Sequence, residues 1–199
     1  GRIVVGHQRQ SAGHGFRDDV AEGLGQARKD EQVGRGVVPG QVGPALEANH
    51  ADPAAYYAGH PLNPLVNGLH WSWQGGYRFL KLELDVKTAQ GMEGFPVHLG
   101  STGCASTSMR TPPKTCAQPN RVTVRLAGSD WLHQQVRIDL SALLRETRLG
   151  EQAPDTAPGC MSAPDDPDCH GVLKALGLRS GAVQRVFSAV PRPGHAPAP

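Results

Sequence analysis

The sequence predicts a mainly β protein, a sandwich-like arrangement of antiparallel strands with long stapled loops and one or two short helices. Three observations carry that reading. The 199 residues include 25 Gly and 17 Pro but only 5% aromatic residues, which favours many short strands joined by turns over a helical bundle. Several segments alternate apolar and polar residues with a period of two, the signature of a half-buried strand. The four cysteines fall into two local pairs, Cys104 with Cys116 and Cys160 with Cys169, each enclosing a polar loop that contains proline. Zinc sites use tighter C-x₂₋₄-C spacing, so two loop-stapling disulfides fit better and point to an oxidising compartment. Each would contribute roughly 2–3 kcal/mol in an unstrained fold.

Taken in order, residues 1–45 repeat Gly, Arg, Gln and Asp without period, and Phe16 is their only aromatic residue. Ile3–Val5 and Val37–Val38 are too short to commit as strands. So little apolar surface does not offset the entropy of ordering, and a disordered or non-native N-terminal segment is expected. The β domain is expected over 46–190, followed by a tail at 191–199. Asn49–Pro53 and Pro61–Pro64 carry turn chemistry. Trp71 and Trp73 are two apart and share a face if extended, and Gly75–Gly76 permits a bulge or bend before the next strand. From Arg78, Leu80, Leu82, Leu84 and Val86 face one way, with Lys81, Glu83 and Asp85 facing the other. In Gly94–Gly100, Phe95 and Val97 take one face and His98 the other, while Pro96 argues for a sheet edge or a bulge. Val122, Val124 and Leu126 alternate cleanly, as do Val136, Ile138 and Leu140. Leu140, Leu143 and Leu144 then switch to helical spacing behind Asp139, a helix of about two turns. Val172–Leu178 reads as a further turn or two, stopped at Gly177, and Val183–Val190 as a last strand.

The charge balance of +2, with Lys and Arg scattered along the chain, argues against a nucleic-acid partner. No apolar run approaches the ~20 residues that span a bilayer, and no secretory signal is visible. Nucleophilic catalysis finds no G-x-S-x-G elbow and, with both pairs oxidised, no free thiol. The Asp165–Asp168 carboxylates serve turn formation, and Gly75–Gly76 lacks the strand and helix a phosphate cradle requires. Histidine is the better lead. Of nine, His50, His70 and His98 lie beside the indole pair in sequence or in neighbouring strands. Imidazole suits copper, zinc, nickel and iron, so these residues around Trp71 and Trp73 make a candidate metal site. His7 and His14 belong to the first segment and His195 to the tail, while His133 and His170 read as surface positions.

Four stretches also resemble a known family. Trp71–Leu84 (WSWQGGYRFLKLEL), His98–Cys104 (HLGSTGC), Cys116–Arg121 (CAQPNR) and Gly159–Cys169 (GCMSAPDDPDC) are similar in content and order to the MbnP-like proteins, also called metallo-mystery pair system four-Cys motif proteins. Asn49–Pro53 resembles that family's NHADP turn. The resemblance runs from about Ala48 to Val190; residues 1–45 depart from the family's N-terminal strands, and His70 stands where an apolar residue is expected. It implies a periplasmic, copper-binding β protein that is not itself an enzyme. It also implies a partner related to di-haem cytochrome c peroxidases (MbnH-like), which oxidises a tryptophan to kynurenine, with a copper chelator as a further possible partner. Carried over residue by residue, His50 and His98 become the imidazole ligands, Trp71 the modified residue with Trp73 as the alternative, and His70 a doubtful third histidine. The competing reading is a secreted β-sandwich recognition module, in which Trp71, Trp73 and Tyr77 form an aromatic platform for a sugar or peptide.

Overall fold

The computed structural model describes residues 3–4, 38–60, 62–72, 75–108, 111–126 and 133–193. Its strands are β1 (Ile3–Val4), β2 (Val38–Val42), β3 (His70–Ser72), β4 (Gly76–Lys87), β5 (Met92–Gly100), β6 (Thr102–Ala105), β7 (Thr115–Gln118), β8 (Val122–Leu126), β9 (Gln134–Ile138) and β10 (Phe187–Pro191). The helices are α1 (Leu46–Asn49), α2 (Pro64–Asn67), α3 (Leu140–Leu144) and α4 (Pro167–Ala175), with a 3₁₀ turn at Pro53–Ala55. Every strand pair is antiparallel: β4 is flanked by β1, β3 and β5, while β2 pairs with β8, β6 with β7 and β9 with β10. The mainly β fold with two disulfides and few short helices matches the sequence expectation.

The core sits where the period-two pattern places it. Leu82 and Leu84 of β4 meet Phe95, Val97 and Leu99 of β5, and this face packs with Val122, Val124 and Leu126 of β8, Leu143 of α3 and Val172, Leu173 and Leu176 of the α4 region. Lys81, Glu83 and Asp85 point outward. Pro96 lies on the edge, as its missing N–H requires. Its backbone nitrogen faces away from β4, and its carbonyl accepts from Cys160 N–H at 2.9 Å while His98 N–H donates to Cys160 O at 2.9 Å. Gly159–Cys160 therefore covers the free edge of β5. Gly159 has φ +62°, and a Cβ there would lie 2.1 Å from Pro96 O, so only glycine allows that approach.

The loop between α3 and α4 is ordered by side-chain hydrogen bonds. Gln152 donates through Nε2 to Asp168 Oδ2 (2.8 Å) and Ala157 O (2.9 Å) and accepts from Gly159 N–H (2.8 Å). The Ser162 hydroxyl accepts from Gly100 N–H and donates to His98 O, and Asn120 Nδ2 donates to Gly100 O. These contacts tie the CAQPNR and GCMSAPDDPDC stretches to the end of β5.

Several elements differ from their sequence expectation. The α3 helix is a single turn, capped as expected by Asp139, whose Oδ1 accepts from Ala142 N–H at 2.9 Å. The α4 helix begins five residues before the expected Val172, because Asp166 caps it and Pro167 opens it. It ends as expected: Leu178 N–H reaches Leu173 O and Gly177 N–H reaches Lys174 O, with Gly177 at φ +74°, a Schellman stop. β9 stops at Ile138, with Leu140 opening α3 rather than ending the strand. Its burial does not alternate as expected: Val136 is 39% and Ile138 44% exposed, and β9 pairs only with β10 among the described strands. The last strand begins at Phe187 rather than Val183. In the N-terminal stretch, Val38–Val42 and Ile3–Val4 are paired strands; the expectations for 5–37 and 194–199 lie outside the described residues.

Candidate metal centre

The outer face of the β4–β5 pair carries the first half of the site. His98 stands opposite Lys81 in the register, on the face that Phe95, Val97 and Leu99 leave free. Its Nε2 lies 2.9 Å from Glu83 Oε1, and Lys81 Nζ reaches the same oxygen at 3.3 Å. Burial pushes the Glu83 carboxyl up, but hydrogen bonds from His98 and Lys81 and their charges outweigh it and hold the group below the ordinary carboxylate range. Trp71 of β3 stands edge-on to His98, with ring centroids 6.2 Å apart at 87°. Its indole lies over Gly100, where a Cβ would meet Cε3 at 3.4 Å. At 37% exposure, Trp71 is reachable from solvent. It also lines a cleft of about 250 Å³ with Ser72, Gly75, Ser101, Thr102 and Cys104.

His50 forms the second half. It follows α1 and is 5% exposed, not the loosely held turn residue its sequence context implies. Asn49 fixes it. The Asn49 Oδ1 accepts from Tyr77 N–H at 2.8 Å, which turns Nδ2 toward His50 Nε2 at 3.1 Å. The Nε2 atom is thus the acceptor and carries no proton. Gly76, at φ +70°, makes this closeness possible, since a Cβ would sit 2.5 Å from Asn49 O. The same Nε2 atom lies 3.5 Å from Cys116 Sγ. Cys116 is disulfide-bonded to Cys104, as Cys160 is to Cys169, which matches the expected pairing. One ligand atom each of His50, Cys104 and Cys116 falls within 4.8 Å of the others.

The structure therefore brings His98 to Trp71, and His50 to the Cys104–Cys116 disulfide, with the Trp71–Cys104 cleft lying between the two groups. His70 belongs to neither. Its ring packs edge-on against Tyr77 at 5.1 Å, and burial first, then the Arg78 charge, lowers its pKa. Trp73 lies outside the described residues. Tyr77 is 2% exposed, with its hydroxyl pushed up to about 12 by burial and by Tyr56; it has no place in a surface platform, which removes one member of the sugar- or peptide-binding reading. Glu83 and Asn49 were not singled out from sequence. The outward alternation of β4 and β5 already put Glu83 on the His98 face, whereas Asn49 was marked only as the start of a turn, its partner Tyr77 being 28 positions away.

As encoded, Trp71 offers a metal no in-plane lone pair, only an N–H donor. His98 is an imidazole held by a carboxylate, the kind of support that a metal-binding imidazole usually has. The encoded Trp71–His98 pair therefore offers a metal one imidazole and no second donor from the indole.

Residues 38–162 match the model of the MbnP family. Among solved structures, MbnP from Methylosinus trichosporium is similar, at 30% sequence identity and a TM-score of 0.61 over 77% of this chain. The chain spans 62% of the length of that structure. No curated protein matches.

Proposed function

This chain belongs to the MbnP family, and from that premise we propose that it is a periplasmic copper-binding protein whose site is completed by oxidation of Trp71 to kynurenine. The observation that carries the reading is the edge-on contact of Trp71 with His98. It joins a solvent-reachable indole to a carboxylate-supported imidazole. A di-haem partner acting with peroxide would insert two oxygen atoms across the indole C2–C3 bond, leaving two waters and an N-formylated ring-opened product. Hydrolysis then releases formate and frees the aryl amine. The residue gains one oxygen and loses one carbon overall.

His98 and the new amine or ketone would hold copper, with His50 as the second imidazole across the Trp71–Cys104 cleft. Nitrogen donors in low number suit Cu(I). The protein's own residues do the positioning: Glu83 holds the His98 ring, Gly100 leaves room for the indole, and Asn49 fixes the His50 ring through a hydrogen bond that copper would displace. In this reading the chain is a substrate and a carrier, not an enzyme, and a copper chelator is a suitable donor or acceptor for its metal. The disulfides support an oxidising compartment.

The reading is tested with His98→Ala in protein already oxidised at tryptophan. Copper affinity should collapse while the circular dichroism spectrum stays that of the parent, because His98 faces away from the core. Unchanged affinity would remove the Trp71–His98 site.

A further inference from the structure

We propose that the Cys104–Cys116 disulfide is a redox gate over a distinct metal site. When an external dithiol reduces it, two thiolates and the His50 imidazole form a three-coordinate site for Cu(I). The ligand atoms already converge within 4.8 Å, with His50 Nε2 only 3.5 Å from Cys116 Sγ. Nε2 accepts from Asn49 Nδ2 at 3.1 Å, so its single lone pair is engaged by that amide, and Cu(I) binding would take the lone pair in the amide's place. His50 is buried, so the ligand is kept from bulk water.

Reduction need not scatter the sulfurs. Cys104 and Cys116 are register partners on β6 and β7, and the Thr102–Gln118 and Ala105–Thr115 pairs on either side hold the strands together. Access favours this disulfide over the other. Cys104 lines the open cleft beside Trp71 and both cysteines are partly exposed, whereas Cys160 and Cys169 are 1% and 0% exposed within the core. Thiolate attack requires a reachable sulfur.

The chemistry balances simply. A dithiol attacks one sulfur, forms a mixed disulfide, and closes to its own disulfide, leaving two cysteine thiols. Binding of Cu(I) then displaces two protons. Soft thiolates with one imidazole, three donors in all, suit Cu(I), whereas a structural zinc would need a fourth ligand. The site shares His50 with the copper site proposed above but needs no oxidation of Trp71, so it is tested on unmodified protein and stands or falls separately.

The protein is treated anaerobically with limiting dithiothreitol, freed of it by gel filtration, and titrated with Cu(I) against a chromophoric chelator. Alkylation and peptide mapping should find the two free thiols at Cys104 and Cys116. The reduced protein should gain one Cu(I) with a thiolate-to-copper absorption band that the oxidised protein lacks. His50→Gln should weaken binding by about 100-fold or more, at or beyond the range for a residue that only supports a ligand. X-ray absorption on the unsubstituted reduced protein should count two sulfurs and one nitrogen, a readout that does not depend on a variant folding. Reduction of Cys160–Cys169 first, Cu(I) binding no tighter after reduction, or a sulfur-only ligand shell would each overturn the proposal.

Discussion

Replacing Asn49 by alanine perturbs the joint on which both the strand entry and His50 depend. The change removes the acceptor for the buried Tyr77 N–H (2.8 Å) and the donor to His50 Nε2 (3.1 Å). An unsatisfied buried amide costs about 1–3 kcal/mol, and loss of the second hydrogen bond about 0.5–1.5 kcal/mol. A total near 2–4 kcal/mol is expected, which in a chain of this size lowers Tm by about 5–15 °C. Gly76→Ala attacks the same joint from the other side, placing a Cβ 2.5 Å from Asn49 O at φ +70°, and should be at least as costly. Thermal unfolding followed by circular dichroism, paired with urea midpoints, measures both. An Asn49→Ala protein within about 0.5 kcal/mol of the parent, the range of an inconsequential surface change, would refute the claim that this amide organises the site.

Other outcomes follow from the same contacts. Gly100→Ala should push the Trp71 indole off its strand, since a Cβ there meets Tyr77 O at 3.0 Å and the ring at 3.4 Å; a shifted tryptophan emission reads it. Removing the buried Cys160–Cys169 pair by double alanine substitution should destabilise more than removing Cys104–Cys116, because both share a cross-link term of about 3 kcal/mol but only the first also takes packed atoms from the core. Asp166→Asn keeps the cap on α4 and removes a carboxyl whose pKa is raised, chiefly by burial. The folded state holds that proton longer than the unfolded chain, so the parent loses stability as pH rises above the ordinary Asp range and the variant should not, which unfolding midpoints across acid pH will show.

Much of the fold was legible because one period repeats along it. Leu82 and Leu84, Phe95 and Val97, and Val122 and Val124 each announce a buried face by alternation alone, and all six meet in one cluster. The same signal misled at β9, where Val136 and Ile138 alternate in sequence but are exposed, and the strand pairs only with β10 among the described strands. Alternation reports a pleat, not what covers it. The strand Val38–Val42 went unread because VPGQV contains Pro and Gly; the edge of β8 makes it a strand, a tertiary effect. At the site, His98 was legible from the strand pattern and the cysteine pairs from their spacing. His50 was singled out as a residue, but its burial was not, because Cys116 lies against it from 66 positions away and Tyr77, which fixes its neighbour Asn49, is 28 positions from that residue.

The central claim, that oxidation of Trp71 beside His98 creates the copper site, is tested most directly by treating the protein with a di-haem peroxidase of the proposed kind and peroxide, mapping the modified peptide, and titrating copper before and after. The account predicts one added oxygen and one lost carbon at Trp71, with tight copper binding by the disulfide-intact protein appearing only after modification and never in disulfide-intact Trp71→Phe. Modification confined to Trp73, or equal copper affinity in Trp71→Phe and the treated parent, would contradict it.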